Sequence, residues 1–426
     1  MNKKFIVMAA IAAVFGMSFT ACSNNDDEMG GAPIENGKKL APMAFNTSLD
    51  NKTVTRGLAA NVADIQEDGF SVWALDNRSA GTFYIGGAGT SSSNAGIACS
   101  WDDTNSLYNP ATAYYWPQYD LSFIAMTPQS GGGIDGIVVA NATESSTDLY
   151  ANPTATMYVT IPTTLSSQKD IMLAAANAKD ADDEDDLNTD GKKNDKDALQ
   201  LTFKHALSQI VFKGKLEYGS TITKAVVHNI DLVNIANTGS IAVATASDVA
   251  SFTSTPDGSA PKVTNSANII TSGSVNSTPL VSGFAVTYKS ADGTAYDDIT
   301  GSNVTDALAY NAATTRNQQL MVLPQTVNTG LSEQTSTLDD TEFDSSDALN
   351  FTSNAYLRVN IDLFANGDEA NYVLRNTDVF IKLNETTWAP GTKYTYVLEF
   401  SDDLLNPIQF TSEITDWNDA QKDVKF

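Results

Sequence analysis

Apolar and polar residues alternate along much of this chain. Leu357, Val359, Ile361 and Leu363 alternate with Arg358, Asn360 and Asp362. Tyr394, Tyr396, Leu398 and Phe400 repeat the pattern after the turn Ala389-Pro390-Gly391, and Ile408, Phe410 and Ile414 repeat it again. This is the writing of half-buried β-strands. Near the start, Met43, Phe45, Thr47 and Leu49 share one parity, and Ala44, Asn46 and Ser48 share the other. The pattern predicts a strand there, and Thr53-Val54-Thr55-Arg56-Gly57 interrupts it. Shorter apolar runs at 70–75, 119–126, 171–176 and 320–323 predict further strands, with Gly/Ser-rich punctuation between them. From Leu201 to Leu216 the parity changes. Leu201, Phe203, His205 and Leu207 lie on one phase, Ile210, Phe212 and Leu216 on the other, which predicts a bulge or a bend between sheets. The stretch 245–282, rich in Ser, Thr, Gly and Pro, is expected to be looped or edge-like. No fixed-period repeat and little helix are predicted. The fold class is all-β, in antiparallel sandwiches.

Length adds a domain count. The 426 residues are too many for one ordinary sandwich, so two domains are expected. The predicted division is 1–21 signal, 22–56 propeptide, 57–218 first domain and 219–426 second domain.

The first residues change the picture most. Lys3 and Lys4 precede an apolar run from Phe5 to Phe19, and small residues lead to Cys22 in Phe19-Thr20-Ala21-Cys22. The run is too short to span a bilayer and ends at a cleavage-like site, as a secretory signal does. A cysteine at that point resembles a bacterial lipobox. The thiol of Cys22 is expected to carry lipid as a membrane anchor, followed by the polar tether Ser23-Asn24-Asn25-Asp26-Asp27-Glu28. With Cys22 acylated, Cys99 stands without a partner and no intramolecular disulfide forms. The net charge of −26 argues against nucleic acid or an anionic membrane surface as partner.

Candidate chemistry is sparse. Asp186, Asn188, Asp190, Lys192, Asn194 and Asp197 follow the spacing of a calcium loop, with Gly191 at the sharp turn. Lys193 stands where such loops carry an apolar residue, and the last position is aspartate rather than glutamate. A solvated acidic loop accounts for the same residues. No other cofactor is implied. His205 lies on the apolar parity of a strand and is expected to be a hydrogen-bonded core histidine. Cys99, expected in a loop, has no companion base. Tyr114, Tyr115, Trp116 and Tyr119 are expected to be core aromatics beside a turn. No catalytic constellation emerges, and an enzyme is not expected.

Several of these motifs, in this order, resemble one family. They are the lipobox, a strand, Thr55-Arg56-Gly57, Tyr114-Tyr115-Trp116-Pro117, Phe203-Lys204-His205-Ala206-Leu207-Ser208, Pro390-Gly391-Thr392-Lys393-Tyr394-Thr395-Tyr396 and Ile414-Thr415-Asp416-Trp417. Together they resemble the fimbrillins of Bacteroidetes, the subunits of type V pili. The resemblance implies two transthyretin-like antiparallel β-sandwich domains in tandem. It implies export as an outer-membrane lipoprotein, then cleavage between Arg56 and Gly57 by an arginine-specific protease. Cleavage removes the lipid and the strand carrying Met43, Phe45, Thr47 and Leu49. A strand from another copy or a related pilin, expected near Ile414, Ala420, Val424 and Phe426, fills the groove. Lys422 interrupts the apolar parity there. The product is a cell-surface fimbrium supporting adhesion, with this chain as stalk or tip. Two other functions fit the same residues: a monomeric lipid-anchored protein that binds glycan or protein, and a secreted glycoside hydrolase.

Overall fold

The computed structural model describes residues 34–35, 38–39, 41–49, 62–78, 82–87, 96–117, 119–129, 134–141, 153–163, 167–178, 198–246, 249–260, 262–266, 284–286, 297–298, 320–329, 354–365, 372–401 and 408–416. Its strands run in chain order as follows. A short ladder β1 (Ile34–Glu35) and β2 (Lys38–Lys39) is followed by β3 (Phe45–Leu49), helix α1 (Val62–Asp68), β4 (Phe70–Asp76), β5 (Phe83–Ile85), β6 (Ile97–Asp102) and β7 (Leu107–Pro110). Next come β8 (Leu121–Thr127), β9 (Ile134–Asn141), β10 (Pro153–Thr160), β11 (Met172–Ala178), β12 (Leu199–His205) and β13 (Ser208–Leu216). Then follow β14 (Ile222–Ile235), β15 (Thr238–Ala246), β16 (Val249–Pro256), β17 (Val263–Ser266), β18 (Phe284–Val286), β19 (Asp297–Asp298), β20 (Leu320–Val322) and β21 (Gln325–Val327). The last are β22 (Tyr356–Ala365), β23 (Tyr372–Lys382), β24 (Thr386–Trp388), β25 (Thr392–Phe400) and β26 (Ile408–Asp416).

The first half is not a plain sandwich. Strands β4, β6, β7, β3, β12, β11 and β8 pair in that order, and β8 pairs back onto β4, so the sheet closes into a barrel. The reason lies in β4 and β8. Every residue of Phe70–Asp76 and of Leu121–Thr127 is buried, so both faces of each strand need cover. One face looks into the barrel, where Phe70, Phe123, Phe203 and Tyr108 meet. The other face packs Trp73, Leu75, Ile124 and Met126 against a four-stranded sheet of β16, β15, β10 and β9. The expected pair of transthyretin-like sandwiches is therefore not what the first half shows. A strand buried on both sides loses the period-two signature that marks a sandwich strand.

Helix α1 caps one end of the barrel with Ile65. It stops at Gly69, whose φ is +65°, with the Gly69 N–H donating to the Ile65 carbonyl at 2.8 Å. A Cβ on Gly69 would stand 2.5 Å from the Cys99 carbonyl oxygen, so glycine is needed both for its conformation and for its size.

The second half is a two-sheet sandwich. Strands β13, β20, β19, β25 and β26 form one sheet, and β14, β17, β18, β22 and β23 the other. Ile210, Phe212, Ile230, Val359, Tyr396 and Leu398 are among the residues that fill the space between them. The parity change of 201–216 falls at Ala206 and Leu207, where the chain leaves barrel strand β12 and enters β13 of the second sheet system. The expected division at 218/219 follows β13, a strand that pairs with β20 and β25. After β14, the hairpin β15–β16 crosses back to cover the barrel. The Ser/Thr-rich stretch 245–282, expected to be looped or edge-like, supplies β16, which is an edge strand of the four-stranded sheet. Thr253 and Thr255 are exposed on one side of β16, and Ile241 and Val243 of β15 are buried on the other side of the sheet.

Candidate functional site: the strand that closes the barrel

β3 is one stave of the barrel. It runs parallel to β12 over five residue pairs, from Phe45 opposite Leu199 to Leu49 opposite Phe203. The Leu199 N–H donates to the Ala44 carbonyl at 3.0 Å. On its other side, Phe45 pairs with Tyr108 of β7. The chain just before β3 pairs with the Tyr114-Tyr115-Trp116 stretch. The Met43 N–H donates to the Tyr114 carbonyl at 2.8 Å, and the Trp116 N–H donates to the Ala41 carbonyl at 2.9 Å. Pro42 bridges to Tyr115 between them.

The side chains follow the predicted parity. Phe45 is fully buried and Met43 is 3% exposed. The Phe45 ring meets Phe70 edge-on at 5.9 Å and Phe123 at 5.8 Å. Phe123 in turn meets Trp116, and Phe70 meets Phe203 and Tyr108. Phe45 thus stands at the centre of an aromatic set that touches most staves, where each such contact adds about 0.5–1.5 kcal/mol beyond burial. Thr47 is half-buried, with its hydroxyl donating to the Tyr108 hydroxyl at 3.4 Å. Leu49 is half-buried against the same cluster. On the opposite parity, the Ser48 and Thr202 hydroxyls lie 3.1 Å apart. Burial pushes the Tyr108 hydroxyl pKa up, partly offset by the Thr47 hydrogen bond, and burial also pushes Tyr114 up. Both phenols stay neutral, so the walls of the β3 slot are apolar or uncharged.

The remaining candidates do not converge on this slot. His205 is buried at the end of β12, with its Nδ1 2.6 Å from Asp170 Oδ2. Cys99 lies in β6, not in a loop, and its side chain is buried in the barrel. Burial pushes its thiol pKa far up, which keeps it protonated and unreactive. Of the expected core aromatics Trp116 is in the barrel core, 4% exposed, Tyr114 and Tyr119 are half-buried against it, and Tyr115 is half-buried. The backbone role of the Tyr114–Trp116 stretch, holding the segment before β3, was not legible in its aromatic composition. Cys22, Arg56, Gly57, Ala420, Val424 and Phe426 lie outside the described residues, as do the calcium-loop residues Asp186, Asn188, Asp190, Lys192, Asn194 and Asp197. Ile414 lies in β26, in register with Tyr394 of β25.

A family model described as fimbrillin-like matches residues 55–417. The chain belongs to the fimbrillin-like family. It is a structural subunit of a cell-surface fimbria, made to assemble with other pilin subunits in adhesion, and it is not an enzyme. Among solved structures it is similar to a fimbrial protein from Bacteroides vulgatus, with 14% identity and a TM-score of 0.50, covering 88% of this chain and 99% of that one. A putative cell adhesion protein from Bacteroides uniformis matches with 12% identity and a TM-score of 0.38 over 88% of this chain and 98% of that one. The tip fimbrial protein Mfa3 from Porphyromonas gingivalis, C-terminally truncated, matches with 12% identity and a TM-score of 0.28 over 82% and 93%. No curated protein matches the chain in sequence. The fimbrillin-like match begins at Thr55, so it leaves β3 outside although β3 is folded into the barrel.

Proposed function

We propose that this fimbrillin is exported as a lipoprotein acylated at Cys22, is cut between Arg56 and Gly57, and polymerises when a strand of another subunit takes the place of β3. The observation that carries this reading is the position of β3: a barrel stave with Phe45 fully buried, encoded between Cys22 and Arg56, and outside the span of the family match. Arg56 lies between Leu49, the last residue of β3, and Val62, the first of α1. A cut there leaves β3 held by non-covalent contacts alone. Loss of β3 uncovers one side of β12 and an apolar trough lined by Phe70, Phe123 and Tyr108. Unpaired backbone beside apolar surface recruits a strand. Refilling the Met43 and Phe45 positions returns about 1.5–3 kcal/mol each.

The test is N-terminal sequencing of subunits sheared from cells. Subunits beginning at Gly57 support the reading. Subunits that retain acylated Cys22 within the fibre overturn it. In the same experiment Arg56→Ala is expected to leave the protein lipidated and unpolymerised, and abundant fibres from that variant would contradict the mechanism.

A further inference from the structure

Leu320-Met321-Val322-Leu323 is an unbroken apolar run ended by Pro324, so neither face of the strand it forms is written for solvent. Each face enters a different core. Leu320 and Val322 lie in the sandwich core with Ile210 and Phe212. Met321 and Leu323 lie with Trp73, Ile124 and Ile241, between the barrel wall and the four-stranded sheet that covers it. The backbone of β20 pairs with β13 from Ser208 to Ile210, just after the chain has left the barrel. β21 then pairs with β24. A Cβ on Gly239 of β15 would stand 2.8 Å from Leu323 Cδ2, so the hairpin over the barrel rests directly on this segment.

Three amide side chains pin the same segment. Gln168, on the stretch that leads into barrel strand β11, accepts the Met321 N–H at 2.8 Å and donates to the Pro162 carbonyl at 2.8 Å. Gln325 accepts the Ala236 N–H at 3.0 Å and donates to the Ala236 carbonyl at 2.7 Å. At Ala236 and Asn237 the chain passes from β14 back to the barrel. Asn237 is tied there to Ile161, whose carbonyl accepts its side-chain amide at 3.0 Å and whose N–H donates to its carbonyl at 2.8 Å. Asn328, at φ +52°, accepts the Ala355 N–H at 2.6 Å and donates to the Ala355 and Leu383 carbonyls of the sandwich at 2.8 and 2.7 Å. An amide carries donors and acceptors together and no charge, so these ties need no ionised partner.

We propose that residues 320–328 are a lock that joins the barrel and the sandwich into one stiff, cooperatively folding body, so that tension on one half passes into the other. The lock is independent of the strand replacement proposed above and serves whichever strand links neighbouring subunits. The chain crosses between the halves at 206–207 and again at 236–237. A crossing of one strand is by itself a hinge, because rotation at a few backbone bonds moves everything beyond it. The lock closes both crossings. Beside the first, Val322 is in register with Ser208, the Gly391 N–H donates to the Leu207 carbonyl at 2.8 Å, and the Ser208 hydroxyl donates to the Ala389 carbonyl at 2.7 Å. At the second, Gln325 holds both backbone groups of Ala236. A fimbria is pulled along its length, and a subunit that opened between its halves would yield there first.

Hydrogen exchange of the full-length, uncut chain in urea tests the lock. Wild-type peptides from β8 (Leu121–Thr127) and β22 (Tyr356–Ala365) are expected to share one opening with one urea dependence. In Gln325→Leu, and in Gln168→Leu, the two are expected to separate, with exchange rates about tenfold or more apart. Thr326→Val, which removes a hydroxyl paired with that of Thr387 at 2.9 Å on the exposed side, is expected to keep the single opening. Two separate openings in the wild type overturn the lock, and that result needs no variant to fold. A Gln325→Leu chain whose two peptides speed up by the same factor also overturns it, because the amide then adds stability without coupling the halves. Fibres give the mechanical readout. In electron micrographs, fibres of Gln325→Leu are expected to bend more than wild-type fibres and to have a shorter persistence length. Equal persistence lengths overturn the transfer of tension. N-terminal sequencing of the same fibres reports on cleavage at Arg56 separately, so either reading can fail alone.

Discussion

Tyr396 is fully buried in the second sandwich, and its hydroxyl accepts the Trp388 indole N–H at 3.0 Å. Burial pushes its pKa well up and the Trp388 hydrogen bond pulls it partly back. The folded protein thus keeps this proton where the unfolded chain, near 10, has released it. Its contribution is intact below pH 10 and is lost as the pH rises further. Tyr396→Phe is expected to flatten the fall in stability above pH 10 in urea titrations. At neutral pH it is expected to cost about 1–3 kcal/mol, because the Trp388 N–H loses its acceptor. At acid pH the residue to watch is Asp76. Its burial raises the carboxyl pKa, but hydrogen bonds and charge from Arg78 overcome this and hold it below the usual range. That stability is present above the unfolded carboxyl pKa and is lost as pH falls through the lower folded one. Arg78→Ala is expected to move the acid-unfolding midpoint to higher pH, as followed by tryptophan fluorescence. Residue identity alone announced neither partner: Trp388 and Tyr396 are neighbours along a turn, but only the fold desolvates them together.

Among elements, β3 makes the sharpest test. Phe45→Ala is expected to destabilise the uncut chain by about 3–5 kcal/mol, through lost burial and a cavity among Phe70, Phe123 and Tyr108. On the proposed cleavage, which would remove β3, the same substitution is expected to have no effect in the fibre. Urea midpoints of precursor and of sheared fibre subunits check this, and an unchanged deficit in the fibre would mean that β3 stays. Alternation marked β3, β12, β22 and β25 as strands, and burial alternates cleanly in β12, where Leu199, Leu201, Phe203 and His205 are buried between half-buried Gln200, Thr202 and Lys204. It could not show that β4 and β8 are staves of a closed sheet with cores on both sides. Nor did it show that β3 lies parallel to β12 across about 150 residues of sequence, since parity fixes a face and not a neighbour.

For the whole molecule the net charge of −26 sets the conditions of assembly. Subunits of one sign repel as they approach, and salt shortens the reach of that repulsion to about 10 Å at 0.1 M. Fibre growth from cleaved subunits is expected to speed up between about 0.02 and about 0.3 M salt, as read by light scattering, with no change in the N-terminus of the subunit. The sequence by itself determined the all-β class, the strand at 43–49, its place between Cys22 and Arg56, and a bulge or bend between sheets within 201–216. Each of these is written locally, in parity or in a short run of residues. Only the tertiary structure decided that the first half closes into a barrel, that β15 and β16 return to cover it, and that β3 is the stave between β12 and β7. Those facts depend on which backbone edges meet, and pairing between edges is chosen by the burial of many distant side chains at once.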